Sequence, residues 1–124
     1  MRSAIQTLVA MISLLLSLQS HAHGITEPQH GGIVKVVGDI SLELVKGDNQ
    51  VEIYILDDSP WDTSGMSGKL KVETSEGKTE YQLIPIEGSG LKADGVNLSA
   101  GAKVLAIITK PDGYSKIAGK FEIE

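Results

Sequence analysis

The histidines are the residues of this chain best suited to bind a metal ion, and all of them lie close together. His21, His23 and His30 fall within the segment HAHGITEPQHGG, residues 21–32, directly after a purely apolar N-terminal stretch. Imidazole is the commonest metal ligand among protein side chains. The clustering therefore predicts a metal-handling protein that works outside the cytoplasm.

A chelate at a new N-terminus is the most specific form of this prediction. If the chain is cleaved after Ala22, the α-amine and Nδ1 of His23 can bind one metal ion together, and His30 can supply a third nitrogen. Copper(II) accepts a planar array of nitrogen ligands and stands high in the affinity order of divalent metals. The alternative is that His23 only begins a frayed terminus and that His30 is a surface or turn residue.

A polar loop farther along the chain offers weaker candidates. The thioether of Met66 could bind copper(I), although a single methionine more often packs in a core. Trp61 could shield such a site or contact a partner, or it could cover one end of the fold. Asp57, Asp58 and Asp62 could bind a hard cation, but they lack the alternating ligand positions of a calcium loop. Solvated loop charges are the alternative for these three.

The N-terminal stretch has the organisation of an export signal. A short basic start, Met1-Arg2-Ser3, precedes the apolar residues 4–18, and small residues at Ser20 and Ala22 suit a cleavage site. We expect a cleaved signal peptide at residues 1–22 and one mature domain at residues 23–124, periplasmic or secreted, with no stable membrane insertion after cleavage. An uncleaved membrane anchor is the alternative.

Composition excludes several function classes. The net charge is −5 and no stripe of basic residues occurs, which disfavours a nucleic-acid partner. Cysteine is absent, so the domain must be held together by packing alone. No sequence context of a nucleophile elbow or a phosphate-binding loop is present, so we expect neither an enzyme nor an organic cofactor.

Alternating apolar and polar residues predict an all-β domain. Ile53 and Ile55 on one segment and Val104, Ala106 and Ile108 on another should face the core. The segments around residue 48 and around residue 76 should be the turns of two hairpins, and a loop should run through Gly88, Gly90 and Gly95. We expect an antiparallel, immunoglobulin-like β-sandwich of about seven or eight strands. The candidate strands are residues 32–37, 40–46, 51–57, 70–74, 79–86, 102–109 and 115–123.

Several segments, taken in order, resemble a known family. They are an initial His-Gly, PQHGGIV, ELV, IYILDD, GKLKV, QLIPIEGSGLKADG and AKVLAIIT, which together span roughly residues 23–122. This order is similar to that of the small N-terminal accessory domain of periplasmic adaptor subunits in heavy-metal (RND-type) efflux pumps, and of its stand-alone relatives. Many relatives carry a histidine where this chain has Asp58, and no adaptor hairpin or barrel follows. A fainter similarity is to small periplasmic copper-resistance sandwiches.

The resemblance implies a β-sandwich that binds copper, zinc or a similar transition-metal ion in association with metal efflux or resistance. It leaves His23 and His30 as the metal-binding positions, and it implies an efflux-system or other envelope protein as partner. A metal-free interaction module is the alternative function, in which an edge strand or the Trp61 loop docks on another envelope protein.

Overall fold

The computed structural model describes residues 24–124, and all regular structure in that range is β-strand. Eight strands follow one another along the chain, and every ladder between them is antiparallel. Within these residues no helix is long and apolar enough to span a membrane. The strands are β1 Ile33–Val37, β2 Ile40–Gly47, β3 Gln50–Leu56, β4 Ser67–Thr74, β5 Gly77–Pro85, β6 Gly90–Asp94, β7 Lys103–Thr109 and β8 Lys116–Glu122.

The strands form one curved sheet in the order β1-β2-β3-β6-β5-β4-β7-β8. The start of β5 pairs with β4, whereas its end pairs with β6 through Ile84↔Lys92 and Pro85↔Leu91 only. This short ladder joins the two halves of the sheet. The predicted all-β antiparallel class and strand number are confirmed, and the arrangement is barrel-like rather than clearly a sandwich of two sheets.

The barrel is nearly closed, because β1 and β8 pack against each other without forming a ladder. Gly119 of β8 allows this approach. A Cβ atom at Gly119 would lie 3.0 Å from Cδ1 of Leu42 and 3.5 Å from Cγ2 of Val37. A larger residue would push β8 away from β1 and β2, so glycine here sets how tightly the two edges meet.

One predicted loop is a strand instead. The segment through Gly88, Gly90 and Gly95 contains β6, which lies between β3 and β5. Its five residues include a glycine and two charged side chains, which weakens the alternation that marks a strand in sequence. β6 is stabilised by its two neighbours in the sheet, and local sequence does not reveal those neighbours.

The core fills the inside of the curved sheet. The residues predicted to face inward, Ile53, Ile55, Val104, Ala106 and Ile108, are all buried there. The two predicted hairpins are also confirmed, as β2–β3 and β4–β5. Because strand side chains alternate between faces, the residues between these core positions lie on the outside of the barrel.

Truncation of one core side chain tests this packing. Ile55 is 2 % exposed, so Ile55→Ala should lower the free energy of unfolding by about 2–4 kcal/mol through lost burial and a residual cavity. Urea unfolding measures the change. The matched control is Ile84→Ala on β5, where the side chain is 55 % exposed and the change should stay within about 0.5 kcal/mol. Equal effects at both positions would contradict the assignment of inner and outer faces.

Candidate functional site

Residues 24–32, here called the N-terminal segment, lie across the outer face of β2. Ser41 and Glu43 alternate along β2 with Leu42 and Leu44, which face the core. An outward polar side chain on a strand is normally in contact with water, yet both Ser41 and Glu43 are fully buried. The N-terminal segment covers them: the Ser41 hydroxyl donates a hydrogen bond to the Ile25 carbonyl oxygen, and residues 29–32 enclose Glu43.

The Glu43 carboxylate accepts four hydrogen bonds from this segment. Oε1 accepts from the backbone N–H of Gln29 at 2.9 Å and from Nδ1 of His30 at 3.0 Å. Oε2 accepts from the backbone N–H groups of His30 and Gly32, each at 2.8 Å. The carboxylate therefore has a donor for every strong acceptor direction, and this compensates for its removal from water.

The two glycines after His30 make this enclosure possible. Gly31 has a φ of 74°, in the left-handed region, and turns the chain back towards β2. At Gly32 a Cβ atom would lie 2.2 Å from the Leu44 carbonyl oxygen. Any other residue at position 32 would move the backbone N–H away from Glu43. The two glycines of the sequence His-Gly-Gly therefore have a structural role, separate from any role of the histidine as a ligand.

The His30 ring also stacks on an aromatic ring of β3. Its centroid lies 3.7 Å from that of Tyr54, and the two planes differ by 7°. Tyr54 is the ladder partner of Glu43, so one cross-strand pair supports both the edge and the face of the imidazole. The His30 side chain is still 39 % exposed, whereas Glu43 is fully buried. One side of the ring therefore remains open to solvent.

Electrostatics keep Tyr54 neutral and Glu43 ionised. The hydrogen bond that the Tyr54 hydroxyl donates to Glu52, together with burial and the negative charges of Glu52 and Glu43, raises the pKa of Tyr54 to about 12. For Glu43 burial alone would raise the pKa. The hydrogen bonds from Gly32, from the His30 ring and from the other backbone N–H groups outweigh burial, and the pKa of Glu43 is lowered.

An ionised Glu43 determines which nitrogen of His30 carries the proton. A carboxylate only accepts hydrogen bonds, so Nδ1 must be the donor and Nε2 of the neutral ring keeps its lone pair. Within residues 24–124 the His30 side chain makes its hydrogen bond through Nδ1 and leaves Nε2 without a protein partner. Histidines that bind metals through Nε2 generally donate Nδ1–H to a carboxylate or a carbonyl oxygen, as His30 does here.

The other predicted ligands lie elsewhere. Met66 is 8 % exposed and belongs to the hydrophobic core, on the inner side of the sheet, while His30 lies on the outer side. The structure does not bring these two side chains together. His21 and His23 lie outside the described residues, as does the predicted signal peptide at residues 1–22. Within residues 24–124 no group of three or more His, Cys, Asp or Glu side chains is arranged to hold a metal ion.

The polar loop between β3 and β4 is held by local contacts. Nε1 of Trp61 donates to Asp57 at 2.9 Å, and Nζ of Lys110 lies 5.3 Å from the centroid of the Trp61 ring. The hydrogen bond from Trp61, followed by that from the Asp58 backbone, lowers the pKa of Asp57. The Asp62 carboxylate accepts from the backbone N–H of Ser64. Trp61 packs against the core, which agrees with the alternative that it covers one end of the fold.

Sequence reasoning missed Glu43 and Tyr54 as partners of His30. Part of the signal was present, because the short turn between β2 and β3 fixes a register that places Glu43 opposite Tyr54. His30 and Glu43 are separated by 13 positions in sequence, and their contact depends on how the N-terminal segment folds back. No periodicity encodes that contact.

Comparison with known proteins identifies no relative: no family model matches the chain, and no curated protein or solved structure matches it.

Removal of the Glu43 charge tests the enclosure. Glu43→Gln places an amide N–H₂ group against backbone donors, so it should lower the free energy of unfolding at pH 7 by about 2–3 kcal/mol. Since the folded pKa of Glu43 lies below the ordinary 4.5, its ionisation stabilises the protein fully above about pH 4.5. That contribution is lost as the pH falls through the folded pKa.

The stability of the variant should therefore depend less on pH than that of the parent between about pH 3 and 5, as measured by urea unfolding at several pH values. Glu76→Gln changes an exposed carboxyl in the β4–β5 turn and is the matched control. It should behave like the parent. A parent-like pH profile for Glu43→Gln would show that the hydrogen-bonded carboxylate contributes nothing to folding.

Proposed function

We propose that this protein binds a transition-metal ion, copper or zinc, outside the cytoplasm, and that Nε2 of His30 is one of the ligands. The observation that carries the proposal is the hydrogen bond from His30 Nδ1 to the buried Glu43 carboxylate. This bond orients the ring and selects the tautomer with a free Nε2. The same bond supplies one of the four donors to the buried Glu43 carboxylate, so His30 serves the fold as well as the proposed site.

One imidazole does not make a stable metal site, so further ligands are required. We assign them to His23, through its imidazole and, after cleavage behind Ala22, its α-amine. Gly24, to which His23 is bonded, lies against Ser41, two residues along β2 from Glu43. That spacing is about 7 Å along a strand, so Gly24, where the described chain begins, lies on the same face of β2 as Glu43. Three nitrogen ligands favour copper(II) over the other divalent ions.

Met66 is not included in this site, because its side chain packs in the core, on the inner side of the sheet. The resemblance of the chain to accessory domains of heavy-metal efflux adaptors supports an association with metal efflux or resistance. Under this proposal the protein is not an enzyme: it binds the ion and transfers it to, or buffers it for, an envelope partner.

Copper(II) titration of the protein that begins at His23 tests the proposal, with calorimetry for affinity and electron paramagnetic resonance for the ligand nitrogens. His30→Ala should weaken binding more than tenfold, about 1.4 kcal/mol or more, because one nitrogen ligand is lost. One extra residue before His23 should have a similar effect, because it removes the terminal chelate. Mass spectrometry of the exported protein establishes where the mature chain begins.

The variant Glu43→Gln distinguishes the effect of orienting the His30 ring from the effect of having His30 present. His30 is retained in this variant, so the number of coordinated nitrogens should stay the same while affinity falls about 10- to 100-fold. Met66→Ala is the control and should bind copper(II) like the parent. Parent-like titration by both His30→Ala and the extended protein would overturn the proposal.

A second candidate function is a metal-free interaction module, and the exposure of β1 favours it. This edge strand carries two partly exposed large apolar side chains, Ile33 at 37 % and Val36 at 43 % exposure. Apolar residues on an edge strand suit pairing with another chain. If none of the variants above loses copper binding, the interaction module becomes the leading function.

A further inference from the structure

A groove lined by residues of β4, β5, β7 and β8 and by Lys35 of β1 concentrates positive charge in an acidic protein. Its volume is about 840 Å³, within the range of small-molecule sites. Five lysines and three glutamates line it, although the chain as a whole carries a net charge of −5. We call it the lysine groove. Its lysines are Lys35, Lys71, Lys78, Lys103 and Lys120.

Strand register arranges these charges in two rows across the sheet. In one row the order from β5 to β8 is Lys78, Glu73, Lys103 and Glu122, so the sign alternates at every strand. In the adjacent row the order is Glu80, Lys71, Leu105 and Lys120. Opposite charges on neighbouring strands stabilise a sheet, and the first row follows that rule throughout.

Leu105 interrupts the alternation in the second row, at a position where the pattern requires a negative charge. Lys71 and Lys120 are its ladder partners on the two neighbouring strands, and Lys103 lies two residues away on the same face of β7. Within the described part of the chain, none of these three ammonium groups has a carboxylate within salt-bridge distance. Glu80 is already paired with Lys69, at 3.7 Å.

The surface next to Leu105 is apolar on the side of Ile107 and Ala118. Leu105 and Ile107 are successive outward residues of β7, and both are half-buried rather than fully exposed. Ala118 of β8 is the ladder partner of Ile107. A ligand anchored by its charge among the three lysines can therefore lay an aliphatic chain along Leu105, Ile107 and Ala118.

We propose that the lysine groove binds an amphiphilic carboxylate, a small molecule with one anionic head group and an aliphatic chain. The head group occupies the position over Leu105 and supplies the negative charge that the second row lacks. The chain extends out of the groove, from Leu105 along the neighbouring Ile107 of β7 and Ala118 of β8. This site includes neither His30 nor its partners Glu43 and Tyr54, and it does not depend on the metal proposal.

Nuclear magnetic resonance titration with octanoate tests the site, with acetate and the neutral octyl glucoside as comparison probes. Octanoate should shift the amide signals of Lys71, Leu105 and Lys120, and it should bind at least tenfold more tightly than either comparison probe. Its affinity should fall as sodium chloride is raised, because exposed charges are screened. Equal binding of acetate, or of octyl glucoside, would overturn the requirement for chain and charge together.

Variants locate the site. Lys71→Gln combined with Lys120→Gln should weaken octanoate binding at least tenfold, whereas Lys46→Gln combined with Lys92→Gln removes the same charge elsewhere and should not. Leu105→Glu supplies the missing carboxylate from the protein itself and should also abolish binding, while Leu105→Met should retain it. Circular dichroism confirms that each variant is folded. Parent-like affinity in the Lys71/Lys120 double variant, or in folded Leu105→Glu, would overturn the proposal.

Discussion

The buried carboxylate of Glu43 is the interaction on which the outer half of this structure depends. It lies on the face of β2 that points away from the core, and nothing in the sheet itself removes it from water. The N-terminal segment covers it only by placing three backbone N–H groups and one imidazole N–H against it. An isolated buried charge is so costly that segment and carboxylate must be ordered together. The fold therefore consists of a barrel and a covering segment, and most of the hydrogen bonds between them end on the Glu43 carboxylate.

This dependence explains residues that otherwise have no common reason. Gly31 and Gly32 are needed for the close turn, and Tyr54 supports the ring that donates to Glu43. Ser41 anchors the start of the segment with the opposite polarity, because its hydroxyl donates to the backbone carbonyl oxygen of Ile25. The segment has no regular secondary structure, so its backbone groups cannot be satisfied by a ladder of their own. Polar side chains on β2 form hydrogen bonds with these backbone groups instead.

The sequence predicted the inner face of the barrel well and its outer face poorly, for a physical reason. Alternation assigns Leu42 and Ile53 to the core because burial of apolar area repeats every second residue. The same rule assigns Glu43 to the outside, which is correct, and to solvent, which is wrong. Alternation contains no information about what covers the second face. The strand β6 escaped prediction for a related reason, since β3 and β5 stabilise it from positions far away in sequence.

Two regions of the barrel's outer face, one on β2 and one on β4, β5, β7 and β8, differ in how their charges are neutralised. On β2 a single carboxylate is buried and receives four donors, whereas on β4, β5, β7 and β8 the charges stay in water and alternate in sign except at Leu105. A buried group of the first kind couples whatever binds His30 to the position of the whole segment. Under the proposed metal binding, a metal ion on Nε2 would withdraw charge from the ring and strengthen the bond from Nδ1 to Glu43, and so would stabilise the docked segment. Because linkage is reciprocal, a well-docked segment would then increase metal affinity by the same factor. The exposed rows have no such coupling, and a ligand there gains only what local charge and apolar contact provide.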